Sequence, residues 1–257
     1  MKLAIYQGAG TPLDVSANLE LMESLAQSAA QQGAELLVLP ELFLTGYNIG
    51  DAVMQLAEPA QGASLQRACA IAKTAEISLI FGFPEREGDR IYNSAAWIDA
   101  EGNWIGSYHK THLFGAEEQR LFQKGDRWLM HQLGDLTIGV LICFDIEFPE
   151  AARTLAEQGV DLIVVPTANM LPYILIPEWV VPVRALENQV YVAYANRIGT
   201  EGDLTYCGMS CIVTPSGKFL AHAGLEEALL FAEIDQAAIA QERTIYNYLQ
   251  ERRTDLY

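Results

Sequence analysis

The sequence predicts an α/β protein whose core is two sheets facing each other, with helices on the outside. Three observations lead there. Short apolar runs rich in Val, Ile and Leu alternate with helical stretches along the chain, the pattern of strand–helix units. Gly-Ala-Glu-Leu-Leu-Val-Leu-Pro-Glu-Leu at 33–42 is echoed by Gly-Val-Asp-Leu-Ile-Val-Val-Pro-Thr-Ala at 159–168. Each copy follows a helix that stops at glycine, and each is an apolar strand closed by proline. A single distant echo is not a tandem repeat of the solenoid kind, so it implies two related halves. Finally, no linker or low-complexity run interrupts the 257 residues, so 1–257 reads as a single domain. A chain of that length buries about 70–75% of its unfolded surface, enough for a layered core.

Taken in order, residues 2–7 form a first strand. Asp14 or Ser16 opens a helix that runs through an Ala- and Gln-rich stretch to Gly33. Residues 35–39 are a second strand, 64–75 a helix and 77–83 a strand. Residues 91–98 alternate as a strand, and Ala-Glu-Gly-Asn at 100–103 turns the chain into another at 104–108. Residues 136–143 read as the central strand. Pro149, with Glu147 and Glu150 beside it, marks the acidic first turn of a helix to 158. Strand 161–165, helix 178–189 and strand 191–196 follow. Residues 210–214 and 218–221 are strands around Pro-Ser-Gly, and 236–249 is a polar helix or arm.

Charge and composition remove several functions. Asp and Glu number 33 against 16 Lys and Arg, a net charge of −17, which opposes binding to nucleic acid or anionic membranes. The start shows no signal-peptide core, and no run approaches 18 apolar residues. Cys69, Cys143, Cys207 and Cys211 show no metal-binding spacing with the four histidines. A reduced, cytoplasmic setting follows.

Cys143 lies where a strand gives way to a helix start, in Ile-Cys-Phe-Asp-Ile-Glu-Phe-Pro-Glu at 142–150. Residue type alone would make it a buried small hydrophobe. Its position argues for more, since the free N–H groups of a helix start favour a thiolate. Glu41 directly follows a strand, and open α/β sheets gather ligands at the carboxyl ends of strands. Lys110, His109 and His112 sit together in Tyr-His-Lys-Thr-His-Leu-Phe at 108–114. Taken singly, each of these polar residues is most simply a surface group. Glu117 and Glu118 suit an ordinary helix start. Asn169, Tyr173 and Trp179 line a pocket or simply pack.

As an ordered set these motifs resemble the carbon–nitrogen hydrolase, or nitrilase, superfamily over nearly the whole chain. Glu41 after Leu-Pro, Lys110 and Cys143 carry the likeness. Tyr-Asn-Ser at 92–94, Pro-Thr-Ala-Asn at 166–169, Arg-Ala-Leu-Glu-Asn-Gln at 184–189 and Asn196-Arg197 support it. Each motif alone is weak; the order is specific. The resemblance implies a four-layer αββα sandwich and a Glu41–Lys110–Cys143 triad. It also implies a second glutamate near the lysine, with Glu118 the better match by spacing and Glu117 the alternative. Its pocket residues would be Tyr47, Phe144, Glu147, Asn169, Met170 and Tyr173. Two positions depart from the common pattern: Glu147 stands where many relatives carry Arg, and Met170 where many carry Trp. Both bear on the pocket and look more like the amidase branches than true nitrilases.

Those residues suit cleavage of a small amide to acid and ammonia through a cysteine thioester, with no metal or organic cofactor. Nitrile or N-carbamoyl hydrolysis, and a catalytically silent binding protein, are the alternatives on the same fold. A Cys–His hydrolase would need His109 or His112 as base and an orienting Asn or Asp, which the sequence does not identify. A redox thiol would need a partner close to Cys143. The resemblance further implies a homodimer, formed through the helices at 149–158 and 178–189 and the tail. Ile245, Tyr246, Tyr248 and Leu249 give that tail an apolar patch of the kind that marks interfaces; the alternative is packing on its own subunit.

Overall fold

The computed structural model describes residues 1–256; Tyr257, the last residue of the expected domain, lies outside the described residues. The first half supplies β1 (Lys2–Gln7), β2 (Leu36–Val38), β3 (Ser78–Glu87), β4 (Arg90–Ile98) and β5 (Trp104–His109). Next come β6 (Leu129–Leu133), β7 (Leu136–Val140), β8 (Leu162–Pro166) and β9 (Tyr191–Ala195). The remaining strands are β10 (Thr200–Glu201), β11 (Leu204–Thr205), β12 (Cys211–Val213), β13 (Phe219–His222) and β14 (Ala228–Glu233). Helices α1 (Val15–Gln31), α2 (Val53–Leu56), α3 (Ala63–Ala75) and α4 (Gly115–Leu121) belong to the first half. Helices α5 (Pro149–Glu157), α6 (Val181–Asn188), α7 (Gln236–Ile245) and α8 (Tyr248–Glu251) belong to the second.

Two six-stranded sheets result, ordered β14-β1-β2-β3-β4-β5 and β13-β12-β9-β8-β7-β6. The echo in the sequence is an echo in topology. β2 is parallel to both β1 and β3, and β8 is parallel to both β7 and β9. Side chains alternate across the first sheet as the period of two demands. Leu3, Ile5, Leu36 and Val38 face the second sheet, in one cluster with Ile138, Val164 and Val192. Ala4, Tyr6, Leu37 and Leu39 face outward under Met22 and Ala26 of α1 and Leu65 and Ile71 of α3. Ala152 and Leu155 of α5 and Val181 and Ala185 of α6 cover the second sheet. The layers are therefore αββα. Each fully buried Leu or Ile contributes about 1.5–3 kcal/mol relative to exposure.

Four expectations are corrected. The strand expected at 136–143 ends at Val140, and β7 sits one place in from the edge strand β6 rather than at the centre. Cys143 then adopts a left-handed backbone (φ 45°) and opens a 3₁₀ turn, Cys143–Glu147, before α5 starts at Pro149. β3 continues past Phe83 to Glu87, because it forms a hairpin with β4 closed by Gly88 at φ 61°. The helix expected at 178–189 is a five-residue π turn, Ile176–Val180, followed by α6. The sequence reading also passed over β6 and β14; β14 pairs antiparallel with β1 and ties the C-terminal part to the first sheet. No helix among the described residues is long and apolar enough to cross a membrane.

Candidate active site

Glu41 stands just beyond β2, and its backbone is fixed from two sides. β3 passes so close that a Cβ on Gly82 would lie 2.1 Å from Leu42 N and 2.7 Å from Glu41 Cα; only glycine fits there. From the other side the buried Arg197 guanidinium donates to Glu41 O at 3.2 Å and Leu42 O at 3.3 Å. Arg197 is itself held by Glu201 at 2.6 Å.

Lys110 follows β5, two strands away from β3 in the same sheet, and its backbone N–H bonds Asn93 O of β4 at 2.9 Å. Its ammonium donates to Glu41 Oε1 and to Glu118 Oε1, both at 2.7 Å. Asn93 Nδ2 donates to the same Glu41 oxygen at 2.7 Å. Glu118, in α4, also accepts from Tyr47 OH at 2.7 Å and from Phe114 N at 2.8 Å. Glu41, Lys110 and Asn93 are fully buried. Glu117, the alternative to Glu118, is exposed and paired with Arg120.

Cys143 approaches from the second sheet. A left-handed non-glycine residue costs on the order of 1–3 kcal/mol and persists only where its surroundings enforce it. Here Asp145 enforces it. Its buried carboxylate accepts from Ile142 N (3.0 Å) and Tyr108 OH (2.9 Å) through one oxygen. The other accepts from Thr111 Oγ1 (2.8 Å) and His112 N (2.9 Å), with His112 Nδ1 at 2.8 Å. Asp145 thus ties the turn carrying Cys143 to the loop carrying Lys110. The first bond of that turn, Asp145 N to Ile142 O (3.0 Å), leaves the Phe144 N–H outside it.

The electrostatics correct the expectation of a thiolate stabilised by a helix start. α5 begins six residues after Cys143. Burial, and then the Glu41 carboxylate, push the Cys143 thiol well above its ordinary value, against Lys110 and the Ala168 N–H. Burial also raises Glu41, with Lys110 opposing. Burial alone would lower Lys110, but the carboxylates of Glu118 and Glu41 hold it above the ordinary lysine value. At rest the thiol is therefore held protonated, beside Glu41 and the Lys110 ammonium.

The other candidates divide. Tyr47 lies among Glu118, Glu41 and Cys143, whose charges all raise its hydroxyl after burial does. Tyr47, Met170 and Phe114 line a cavity of about 260 Å³ beside Glu118. Phe144 meets Phe114 edge to face at 5.3 Å, and Phe114 meets Tyr173 at 5.8 Å. Tyr173 is half exposed. Asn169 spends its amide locally, donating to Tyr173 O at 3.0 Å and accepting from Met170 N at 3.0 Å. Glu147 is half-buried at the end of the turn. His109 stacks on Tyr92 and meets Glu85 at 3.1 Å. His112 does have an aspartate partner, Asp145, which the sequence reading did not find because the two lie on different sheets' loops.

Asn93, Asp145, Arg197 and Gly82 were not singled out for roles. Asn93, Asp145 and Arg197 lie inside the motifs at 92–94, 142–150 and 196–197, but nothing local shows that Asn93 meets the Glu41 carboxylate or that Asp145 and Arg197 bond the backbone of distant segments.

The family model described as Carbon-nitrogen hydrolase matches residues 2–244. The protein called Hydrolase in pqqF 5'region of Pseudomonas protegens is 47% identical over an alignment covering 100% of this chain and 90% of that one. An (R)-stereoselective amidase of a Pseudomonas species is 35% identical, with 98% and 92% covered. A solved structure of a mutant amidase from Nesterenkonia sp. shows covalent addition of the acetamide moiety of fluoroacetamide at the active site cysteine. It superposes with a TM-score of 0.90 at 35% identity, covering 100% of this chain and 95% of that one.

Proposed function

The chain belongs to the carbon–nitrogen hydrolase family and is an enzyme acting on carbon–nitrogen bonds, and on that premise we propose a small-molecule amidase with Cys143 as nucleophile. The observation that carries the residue roles is the chain of 2.7 Å contacts, Glu41 to Lys110 to Glu118, all three of whose charges act on Cys143. Glu41 takes the thiol proton as Sγ attacks the amide carbonyl. The resulting oxyanion is met by the Lys110 ammonium and the Phe144 N–H, each such donor worth about 3–4 kcal/mol. The C–N bond breaks as Glu41 returns its proton to the leaving nitrogen, releasing ammonia and leaving a thioester on Cys143. Glu41 then takes a proton from water, which attacks the thioester. The C–S bond breaks, the carboxylic acid leaves, and Glu41 gives the proton back to sulfur. Glu118 holds Lys110 in place, and Tyr47 holds Glu118.

The raised thiol supports this order of events, because a protonated nucleophile needs a base at the moment of attack. Glu41, raised by burial yet facing an ammonium, suits that work. The His112–Asp145 pair favours one rival, an imidazole base, but the largest charges acting on Cys143 are those of Glu41 and Lys110, and His112 Nδ1 is taken up by Asp145 at 2.8 Å. Ammonia release from a panel of small amides, ω-amides, carbamoyl compounds and nitriles tests the reading. Amides are turned over by the wild type and not by Cys143→Ala; turnover of nitriles alone sinks the amidase assignment.

We also propose a homodimer working in a reducing, cytoplasmic setting, with the catalytic residues in a single domain. Four cysteines without a disulfide support the setting. Ile245, Tyr246 and Tyr248 of the tail are exposed, as are Leu175, Trp179 and Val183 around the start of α6. Leu249 instead packs on its own core, and Gln189 bonds Tyr246 O at 2.7 Å. The tail is thus fastened to its own α6 while showing its aromatic side outward. Light scattering at micromolar concentration decides: an active 28 kDa monomer sinks the dimer.

A further inference from the structure

Glu147 closes the turn that Cys143 opens. Its carboxylate differs from the other acidic groups around the nucleophile. Glu41, Glu118 and Asp145 all accept hydrogen bonds from the protein, whereas the Glu147 carboxylate makes no hydrogen bond or ion pair among the described residues. Its backbone is nonetheless fixed. Arg184 donates to Ile146 O at 2.9 Å and to Glu147 O at 2.7 Å. Cys143 and Glu147 bound the same five-residue 3₁₀ turn, and the Lys110 charge reaches both side chains.

A half-buried carboxylate without a protein donor is left to solvent, and a cationic donor brought there by a ligand makes a charge-assisted hydrogen bond. Burial already holds Glu147 above the ordinary carboxylate range, as expected of a group lacking a partner. The two cations whose charge reaches it, Lys110 and Arg184, are hydrogen-bonded elsewhere. Lys110 is engaged by Glu41 and Glu118, and Arg184 by Glu187 at 3.0 Å and two carbonyls. The 260 Å³ cavity beyond Glu118 adds Glu117 and Asp203 to its lining and no Lys or Arg.

We propose that Glu147 selects amides whose acyl group carries an ammonium group near the scissile carbonyl, and rejects amides whose acyl group carries a carboxylate. This rests on the amidase reading above and names its substrate class. A substrate ammonium would meet Glu147 as the hydrogen-bonded ion partner it lacks. A substrate carboxylate would meet only like charge and engaged cations.

Three amides that differ in one terminal group test it: butyramide with a methyl, β-alaninamide with an ammonium, and succinamate with a carboxylate. The wild type is expected to prefer β-alaninamide to succinamate in kcat/KM by roughly 100-fold, since loss of one partner from a desolvated charge pair costs that much. In Glu147→Gln the ratio falls at least ~10-fold, and the size and shape of the side chain are kept. Calorimetric binding of the same amides to Cys143→Ala, which needs no turnover, is expected to give the same order. Equal handling of succinamate and β-alaninamide, or a ratio unmoved in Glu147→Gln, overturns the proposal. If no amide is turned over, the amidase reading fails, and the binding order to Cys143→Ala still decides the charge preference.

Discussion

The two sides of the active site are built in opposite ways. On the side of the first sheet, Glu41, Lys110 and Asn93, with Glu118 of α4, form a buried polar cluster joined by 2.7 Å contacts. On the second sheet, Cys143 sits half-buried on a strained turn, touched by one backbone N–H and held in place by a neighbour, Asp145. The difference separates charge from geometry. The first side fixes where protons and charge reside, and breaking it disturbs the fold as well as the chemistry, because a buried charge left alone is costly. The second side fixes where the sulfur points, and removing the sulfur itself reaches the chemistry with little effect on stability.

Cys143→Ala should give the largest loss of activity and one of the smallest losses of stability. Turnover falls on the order of 10⁴-fold or more, while thermal unfolding stays within about 2–4 °C of the wild type. Lys110→Ala should invert that balance. It strands two buried carboxylates, so beyond a loss of roughly 10²–10⁴ in kcat it lowers the melting temperature by roughly 10 °C. If Lys110→Ala melts like the wild type, the first side is not the charge lock described here.

Asp145→Asn comes next. The carboxylate accepts through both oxygens, and an amide turns one of them into a donor facing donors. The turn bearing Cys143 should then shift relative to Lys110, and a displacement of about 1 Å costs up to ~10²-fold in kcat. KM is expected to change less than kcat; the opposite split would make Asp145 a pocket residue. The smallest effect belongs to Glu117→Gln, an exposed side chain paired only with Arg120, which should alter neither rate nor melting temperature. A clear loss there would reopen the choice between Glu117 and Glu118.

Much of this was legible in the sequence because it is local. The strands around Leu36 and Val164 repeat the same apolar pattern up to proline, and their sheets repeat the same parallel triplet. Lys110 stands directly after β5, and Glu41 and Cys143 each stand three residues beyond the ends of β2 and β7, where the fold gathers polar groups. What was hidden depends on approach between distant segments. Gly82 matters because it lets β3 pass Glu41, Arg197 because it reaches back 156 residues to the Glu41 carbonyl, and Asp145 because it meets a loop of the other sheet. The direction of the Cys143 shift was misread for the same reason. The helix start was visible in sequence, but the burial of the thiol and the nearness of the Glu41 carboxylate were not.

The central claim is that Glu41, and not an imidazole, takes the proton from Cys143. The direct test is the pH dependence of kcat/KM for amide hydrolysis in the wild type, Glu41→Gln and His112→Ala. In the wild type, activity requires ionised Glu41, so it should rise with pH through a midpoint above the ordinary carboxylate value of about 4.3, because burial raises that group. His112→Ala should keep this limb and stay within ~10-fold of the wild-type rate, whereas Glu41→Gln should lose roughly 10²–10⁴ in rate and the limb with it. Retention of the limb and near-normal rate in Glu41→Gln, with both lost in His112→Ala, would contradict the account.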